Sequence, residues 1–270
     1  MPFTLIAGSF APGLGFPDGD SLRFIPNDPE PIFRLRRRGS PPKINPKNGS
    51  IQLRYEGIDT LEKAAIKPFS SDATASNLEL AGTAGGTTNA PGYIYSNQLG
   101  PHGRPIAFVF AGEAPGKTGD EKYLEPDDIM DSINVLQLAR GHAYPLFYDT
   151  LFDDLRQRLT EVTLEAKEAR KGVWEADRTS SGVEWDGGPA TMAPIFPKLW
   201  RRIDEFTRDE TFFDPEQPLA GLKRWMEIAK PERVSVPHQS IFTGFDNLLE
   251  TTDTTVRMIY EPHEVVVISA

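Results

Sequence analysis

The order in which hydrophobic periodicities occur constrains this chain most. Short apolar runs and period-two alternation occupy roughly the first 110 residues, and helical spacing begins only after them. Ser50-Ile-Gln-Leu-Arg-Tyr-Glu alternates cleanly and puts Ile51, Leu53 and Tyr55 on one face of a strand. Phe3-Thr-Leu-Ile-Ala and Ser21-Leu-Arg-Phe-Ile read as short strands around a Gly/Pro-rich turn. Gly92-Tyr-Ile-Tyr-Ser and Pro105-Ile-Ala-Phe-Val-Phe-Ala-Gly read as a pair. Ile129, Ile133, Leu136 and Ala139 or Arg140 then fall at helical spacing over 128–142, with Gly141 as a stop. Leu151, Leu155, Leu159, Val162 and Ala166 do the same from Thr150 to about Lys171, and Gly172 ends that helix. Strands first and helices afterwards do not make the alternating units of a parallel sheet. They predict an α+β fold, a β-barrel with helices packed on it. Residues 70–92, rich in Ser, Thr, Ala and Gly, are expected to contain a mobile loop, and residues 112–127 to form another flexible one.

The last third differs in character. Residues 179–270 open with Ser-Ser-Gly and Gly-Gly-Pro, then show one helix over Leu219–Ala229 and a strand in Glu264-Val-Val-Val-Ile-Ser. Aromatic side chains such as Trp185, Phe196, Trp200, Phe206, Trp225 and Phe245 supply packing anchors, which predicts an ordered α/β extension of unknown fold. Charge also divides the chain, whose formal net charge is -10. Residues 18–104 hold 11 Lys and Arg against 9 Asp and Glu, whereas residues 179–270 hold 9 against 15. An acidic balance disfavours phosphate binding, so a nucleic-acid role would have to reside in the first segment. The absence of cysteine excludes disulfides, thiolate metal sites and Cys nucleophiles. No run approaches the ~18 apolar residues that would span a bilayer. The N-terminus lacks a basic start followed by a long apolar run, so no membrane partner and a cytoplasmic address are expected, with export by another route left open.

Four short segments carry chemistry. They are Asp18-Gly-Asp20-Ser before a strand; Arg54, five residues ahead of Asp59-Thr60-Leu61-Glu62; His102-Gly-Arg104 before another strand; and Gly172-Val-Trp174 closing the long helix. Their order and spacing resemble the staphylococcal nuclease (thermonuclease) family over about residues 1–178. That family has an Asp-Gly-Asp-Thr turn, an Arg-x4-Asp-Thr-Pro-Glu segment, a Tyr/His-Gly-Arg segment and a Gly-Leu-Trp-like helix end in this sequence. The resemblance implies an OB-like five-stranded β-barrel with packed helices over 1–178. The acidic 179–270 extension lies outside the resemblance and is expected, from its aromatic anchors, to be ordered and packed on the barrel or on a partner. It also implies calcium-dependent hydrolysis of DNA and/or RNA. Carried over residue by residue, Asp20, Asp59 and the Thr60 carbonyl would ligate Ca2+. Glu62 would be the general base on the attacking water, and Arg54 and Arg104 would hold the phosphate. The implied products carry 5′-hydroxyl and 3′-phosphate ends.

Physical chemistry agrees with these roles. Calcium favours several hard oxygen ligands, and two aspartates neutralise it while leaving positions open. Guanidinium forks match two phosphate oxygens at once and oppose the charge that develops during attack. Glu62 lies three residues past Asp59, so one turn can aim both carboxylates into a single site.

The pattern departs from the family in places. Leu61 stands for Pro, Ser21 for Thr, and His102 for a nucleotide-contacting Tyr. Tyr144 and Tyr148 lie near the position of two base-covering tyrosines. Arg36, in the run Arg34, Arg36, Arg37, Arg38, either tracks a phosphate backbone or lies in a solvated loop. Trp174 reads as core packing, and His142, His238 and His263 lack metal-ligand spacing. Ala111-Gly-Glu-Ala-Pro-Gly116-Lys117-Thr118 imitates a phosphate-binding loop, but a true one opens a helix, and here Gly119 and Pro126 follow. It reads as an insertion.

Two other functional classes stay open: a non-cutting OB-type nucleic-acid or protein-binding module, and a structural or assembly subunit. For residues 179–270 three roles are open: wrapping the barrel, contacting another copy or a partner protein, or occupying the cleft with acidic surface.

Overall fold

The computed structural model describes residues 2–37, 39–86 and 89–269. In chain order the barrel region comprises β1 (Phe3–Phe10), β2 (Arg23–Pro26), α1 (Glu30–Arg34), β3 (Arg36–Arg37), β4 (Ile51–Gln52), β5 (Arg54–Tyr55), β6 (Ile58–Asp59), α2 (Phe69–Leu80), β7 (Ala90–Leu99), β8 (Pro105–Ala111), β9 (Glu121–Lys122), α3 (Ile133–Ala139), β10 (Tyr144–Pro145), β11 (Phe147–Tyr148) and α4 (Asp153–Glu168).

One mixed sheet dominates, with its strands in the order β4-β2-β1-β7-β8-β5. Its two ends are β4 and β5, which only Leu53 separates in the chain. The alternating segment 50–56 therefore hydrogen-bonds in both directions. The Leu53 amide donates to the Leu22 carbonyl at 2.9 Å, and the Glu56 amide donates to the Ala107 carbonyl at 2.8 Å. The sheet thus curls almost onto itself as a barrel, which removes exposed edges. Inward residues Leu5, Phe10, Phe24, Ile51, Tyr55, Ile94 and Phe108 fill it. The buried face of α4, Leu155, Leu159 and Val162, packs onto that core. Asn134 of α3 ties helix to sheet. Its side-chain nitrogen donates to the Glu56 and Ala107 carbonyls at 2.8 and 3.0 Å, and its oxygen accepts from the Val109 amide at 3.0 Å.

Downstream lie β12 (Val183–Glu184), α5 (Pro197–Phe206), α6 (Leu222–Ala229), β13 (Arg233–Val236), β14 (Ile241–Gly244), β15 (Leu249–Thr251), β16 (Thr255–Met258) and β17 (Val266–Val267). These surround a second core that draws on both sides of residue 178. Leu61, Ala65, Tyr144, Leu146, Ala166 and Trp174 join Ile195, Phe196, Trp200, Phe206, Trp225, Val234 and Val267, with Trp185 packed against the cluster. β17 pairs in parallel with β11 and antiparallel with β13. Among the described residues no helix is long and apolar enough to cross a membrane.

The structure differs from the sequence expectations at several points. The sheet has eight strands rather than five, because Leu53 divides one alternating segment into β4 and β5 and the two-residue strands β3 and β9 add to β7 and β1. Residues 70–92 are not a loop throughout, since α2 occupies Phe69–Leu80. Its inward face is Ser70, Ala73, Ser76 and Asn77, small and polar, so no apolar stripe marks it. The 112–127 segment is laid along β1. The Thr118 hydroxyl accepts from the Ala7 amide at 3.0 Å, and the Leu5 amide donates to the Asp120 carbonyl at 2.8 Å. The phosphate-loop look-alike is therefore part of the barrel wall. α5 is an additional helix of the extension, and it proves central to the site.

Candidate functional site

Three of the four motif segments converge on one cleft of about 1860 Å³ between the barrel and the downstream region. Asp18, Asp20, Arg54, Asp59, Thr60, Glu62, His102, Arg104 and Tyr148 all line it. Local chemistry explains how each is positioned.

The Asp18–Ser21 turn closes with the Asp18 amide donating to the Ser21 carbonyl at 3.2 Å. Two buried amides then clamp its carbonyls from outside. Asn77 of α2 donates to the Asp18 carbonyl at 2.6 Å, and Gln137 of α3 donates to the Gly19 carbonyl at 2.7 Å. Asp59 sits on β6, paired with β10. Leu61, where the resembled family has Pro, is buried in the second core and anchors the Asp59–Glu62 segment there. His102 and Arg104 project from a tight turn in which the Gly103 amide donates to the Gly100 carbonyl at 2.9 Å. Gly103 has φ +74°, and a Cβ there would lie 2.1 Å from the Pro41 carbonyl oxygen, so only glycine fits.

Arg54 bridges two carboxylates. One terminal nitrogen donates to Asp59 Oδ1 at 3.1 Å, and the other lies 3.3 Å from Asp20 Oδ2. Burial disfavours its charge, but Asp20 and Asp59 more than compensate and raise its pKa further. Burial and neighbouring Asp20 push Asp18 up to about 8. Arg104 has no ion pair among the described residues. Burial and the nearby Arg54 pull its pKa below the usual value, so an arriving anion would find an uncompensated guanidinium.

Sequence reasoning missed Arg201. From α5 its guanidinium straddles Asp59, with Nη1 at 3.1 Å from Oδ1 and Nη2 at 2.7 Å from Oδ2, and Nη1 also donates to Glu62 Oε1 at 2.9 Å. Burial would raise the pKa of Asp59, but Arg201 and then Arg54 win and hold it below the ordinary carboxylate value. The extension therefore reaches Asp59 and Glu62 with a cation, while its Glu227, Glu232 and Asp246 also line the cleft. Its neighbours on α5 are tied down: Lys198 pairs with Glu232 at 2.7 Å, and Arg202 with Glu205 at 3.0 Å. Arg201 belongs to no motif, so only the apolar spacing of α5 could have drawn attention to it.

Two expected substrate contacts are not in the cleft. Tyr144 is fully buried, tilted against Trp174 with ring centroids 4.8 Å apart, and its hydroxyl donates to Asp177 at 2.8 Å. Its strand turns that side chain into the second core, so it cannot cover a base. Tyr148, four residues on, does face the cleft, with Lys198 Nζ 5.8 Å from its ring centre. Arg36 is exposed on β3 beside Gln98 and does not line the cleft. Arg38 lies outside the described residues. The fourth segment has a packing role. Gly172 meets Gly141, whose carbonyl accepts from the Val173 amide at 2.9 Å, and Trp174 is core.

The oxygens suit a hard cation in kind and charge. Asp20 Oδ2 is buried, faces Arg54, and accepts no hydrogen bond. Arg54 Nη1 approaches it at 3.3 Å without hydrogen-bond geometry, which leaves it lone-pair capacity for a cation. Among the described residues no three His, Asp or Glu side chains form a ready metal cage. The set implied by the resemblance needs only two, with a carbonyl and water completing it. No protein-family model matches this chain, and no curated protein matches it either.

Proposed function

We propose that this protein is a calcium-dependent nuclease on an OB-like barrel of the staphylococcal nuclease kind, hydrolysing phosphodiesters of DNA and/or RNA. The observation that carries this reading is convergence: Asp18–Asp20, Arg54, Asp59–Glu62 and His102–Arg104 come from separate segments and line one cleft. A turn, a surface ion pair and a solvated loop, each read alone, would have no reason to meet.

In this reading Asp20, Asp59 and the Thr60 carbonyl hold the calcium ion. When bound, calcium supplies divalent charge beside a non-bridging phosphate oxygen. Glu62 accepts a proton from the attacking water. Water adds to phosphorus in line as the bond to the 5′-oxygen breaks, and that oxygen takes up a proton to leave as the 5′-hydroxyl. The phosphate stays on the 3′ side. Arg104, free of carboxylate partners, and Arg54 face the charge that grows on the phosphoryl oxygens, the kind of preorganised electrostatics that dominates catalysis. His102 and Tyr148, which both line the cleft, would contact the nucleoside in this reading.

A second reading, a module on the same barrel that binds without cutting, is favoured by one observation: Arg201 holds both Asp59 and Glu62. The two are separated by assaying single-stranded DNA, double-stranded DNA and RNA with calcium, magnesium or chelator, using wild type, Glu62→Gln and Arg104→Ala. Calcium-dependent cutting by wild type, reduced about 10²–10³-fold by Arg104→Ala, is expected. Binding without cutting at any metal concentration would replace the nuclease by the module, and neither binding nor cutting would sink both.

A further inference from the structure

We propose that Arg201 is a built-in competitor for the cation, a residue of the site that sets how much calcium the protein needs before it can work. The inference rests on the calcium-site reading above and adds a residue supplied by the extension.

The geometry is that of a substitute ion. One guanidinium caps both oxygens of Asp59, at 3.1 and 2.7 Å, and reaches Glu62 at 2.9 Å. Those are the groups that would have to give a lone pair to the cation and to the water's proton. Each carboxylate oxygen offers two lone pairs, and at Asp59 Oδ1 Arg54 and Arg201 each take one at 3.1 Å, while Arg201 also takes one at Oδ2. Arg201 therefore competes for a metal ligand and for one oxygen of the base with a single guanidinium. Arg54 differs, because its contact with Asp20 Oδ2 is a 3.3 Å ion pair that lacks hydrogen-bond geometry. Asp20 thus keeps lone-pair capacity for a cation beside its Arg54 ion pair, while Arg201 engages both oxygens of Asp59.

The support behind Arg201 also suits exchange. α5 is pinned by Leu199, Trp200, Ile203 and Phe206 in the second core, and by the Lys198–Glu232 pair. The helix need not move, since the long Arg201 side chain can swing off into the cleft by rotating its own bonds. Asp59 then trades one positive partner for another, so a cation entering beside Asp20 displaces the guanidinium by mass action. A simple strut between barrel and extension predicts the opposite outcome, because its removal would disorder Asp59 and weaken cation binding.

The test is calorimetric titration of the full chain with calcium alone, for wild type, Arg201→Ala and Arg201→Lys, with Asp20→Asn as control. Removing the competitor should tighten calcium binding roughly ten- to a hundredfold, the equilibrium value of one charge-assisted contact. Arg201→Lys should fall between, because it keeps the charge and loses the fork. Should Arg201→Ala not fold, as read by far-UV circular dichroism, Arg201→Gln replaces it with the stem and hydrogen-bonding capacity kept. Calcium binding that is unchanged or weaker in folded Arg201 variants overturns the competitor while the calcium site stands. Absence of calcium binding in wild type and variants alike removes the calcium site itself, and the competitor with it.

Discussion

Replacing Asn77 by Ala tests whether α2 is held by hydrogen bonds rather than by apolar packing, as its small polar inner face implies. The side chain is fully buried, accepts from the Tyr55 hydroxyl at 2.9 Å, and donates to the Asp18 carbonyl at 2.6 Å. Asn77→Ala strands one donor and one acceptor. Each buried orphan costs about 1–3 kcal/mol, so the loss should be about 2–6 kcal/mol. A companion change sharpens the reasoning. Tyr55→Phe removes the stranded hydroxyl, so the double variant should be at least about 1 kcal/mol more stable than the sum of the single losses predicts. Equilibrium urea unfolding followed by far-UV circular dichroism measures all four corners of the cycle. Strict additivity, within about 0.5 kcal/mol, would refute a direct Tyr55–Asn77 bond. A loss below 1 kcal/mol for Asn77→Ala would refute the enclosure of both groups.

Burial lifts Glu56 from 4.5 to about 7, against the opposing pull of the Gly57 amide and Gln98. The protonated form thus favours the folded state: this contribution is fully present below about 4.5 and is lost as pH rises through 7. Relative to Glu56→Gln, wild type should lose about 3 kcal/mol of unfolding free energy between pH 4.5 and 8, and a difference independent of pH would contradict the burial. Gly141 has φ +72°, and a Cβ there would sit 2.1 Å from the Lys171 carbonyl oxygen. Gly141→Ala should cost about 2 kcal/mol and lower Tm by roughly 4–8 °C, so an unchanged Tm would rule out this close approach of the two helix ends.

The sequence revealed the features that depend on periodicity or on fixed spacing. Barrel strands alternate because one face meets a core, and α4 carries a regular apolar stripe, so the α+β order was legible. β3 and β9 are exposed two-residue strands that leave no alternation to read. α2 escaped for the complementary reason, because what it buries is polar. The motif carboxylates and arginines were legible as a set, whereas Tyr144 was misplaced because a nearby aromatic is only useful if its strand turns it outward. The role of Arg201 had no motif to announce it. Its partner Asp59 lies 142 positions away, and only docking of the extension brings the two together.

The second core has a consequence for anyone watching this protein unfold by light. All four tryptophans, Trp174, Trp185, Trp200 and Trp225, lie in or against that core, and the barrel core contains none. Intrinsic tryptophan emission is therefore blind to the barrel. A change in emission on adding calcium or nucleic acid would report the region that carries Arg201. The barrel speaks only through its tyrosines and its backbone signal, so coincident transitions in the two channels would show that both cores melt as one unit.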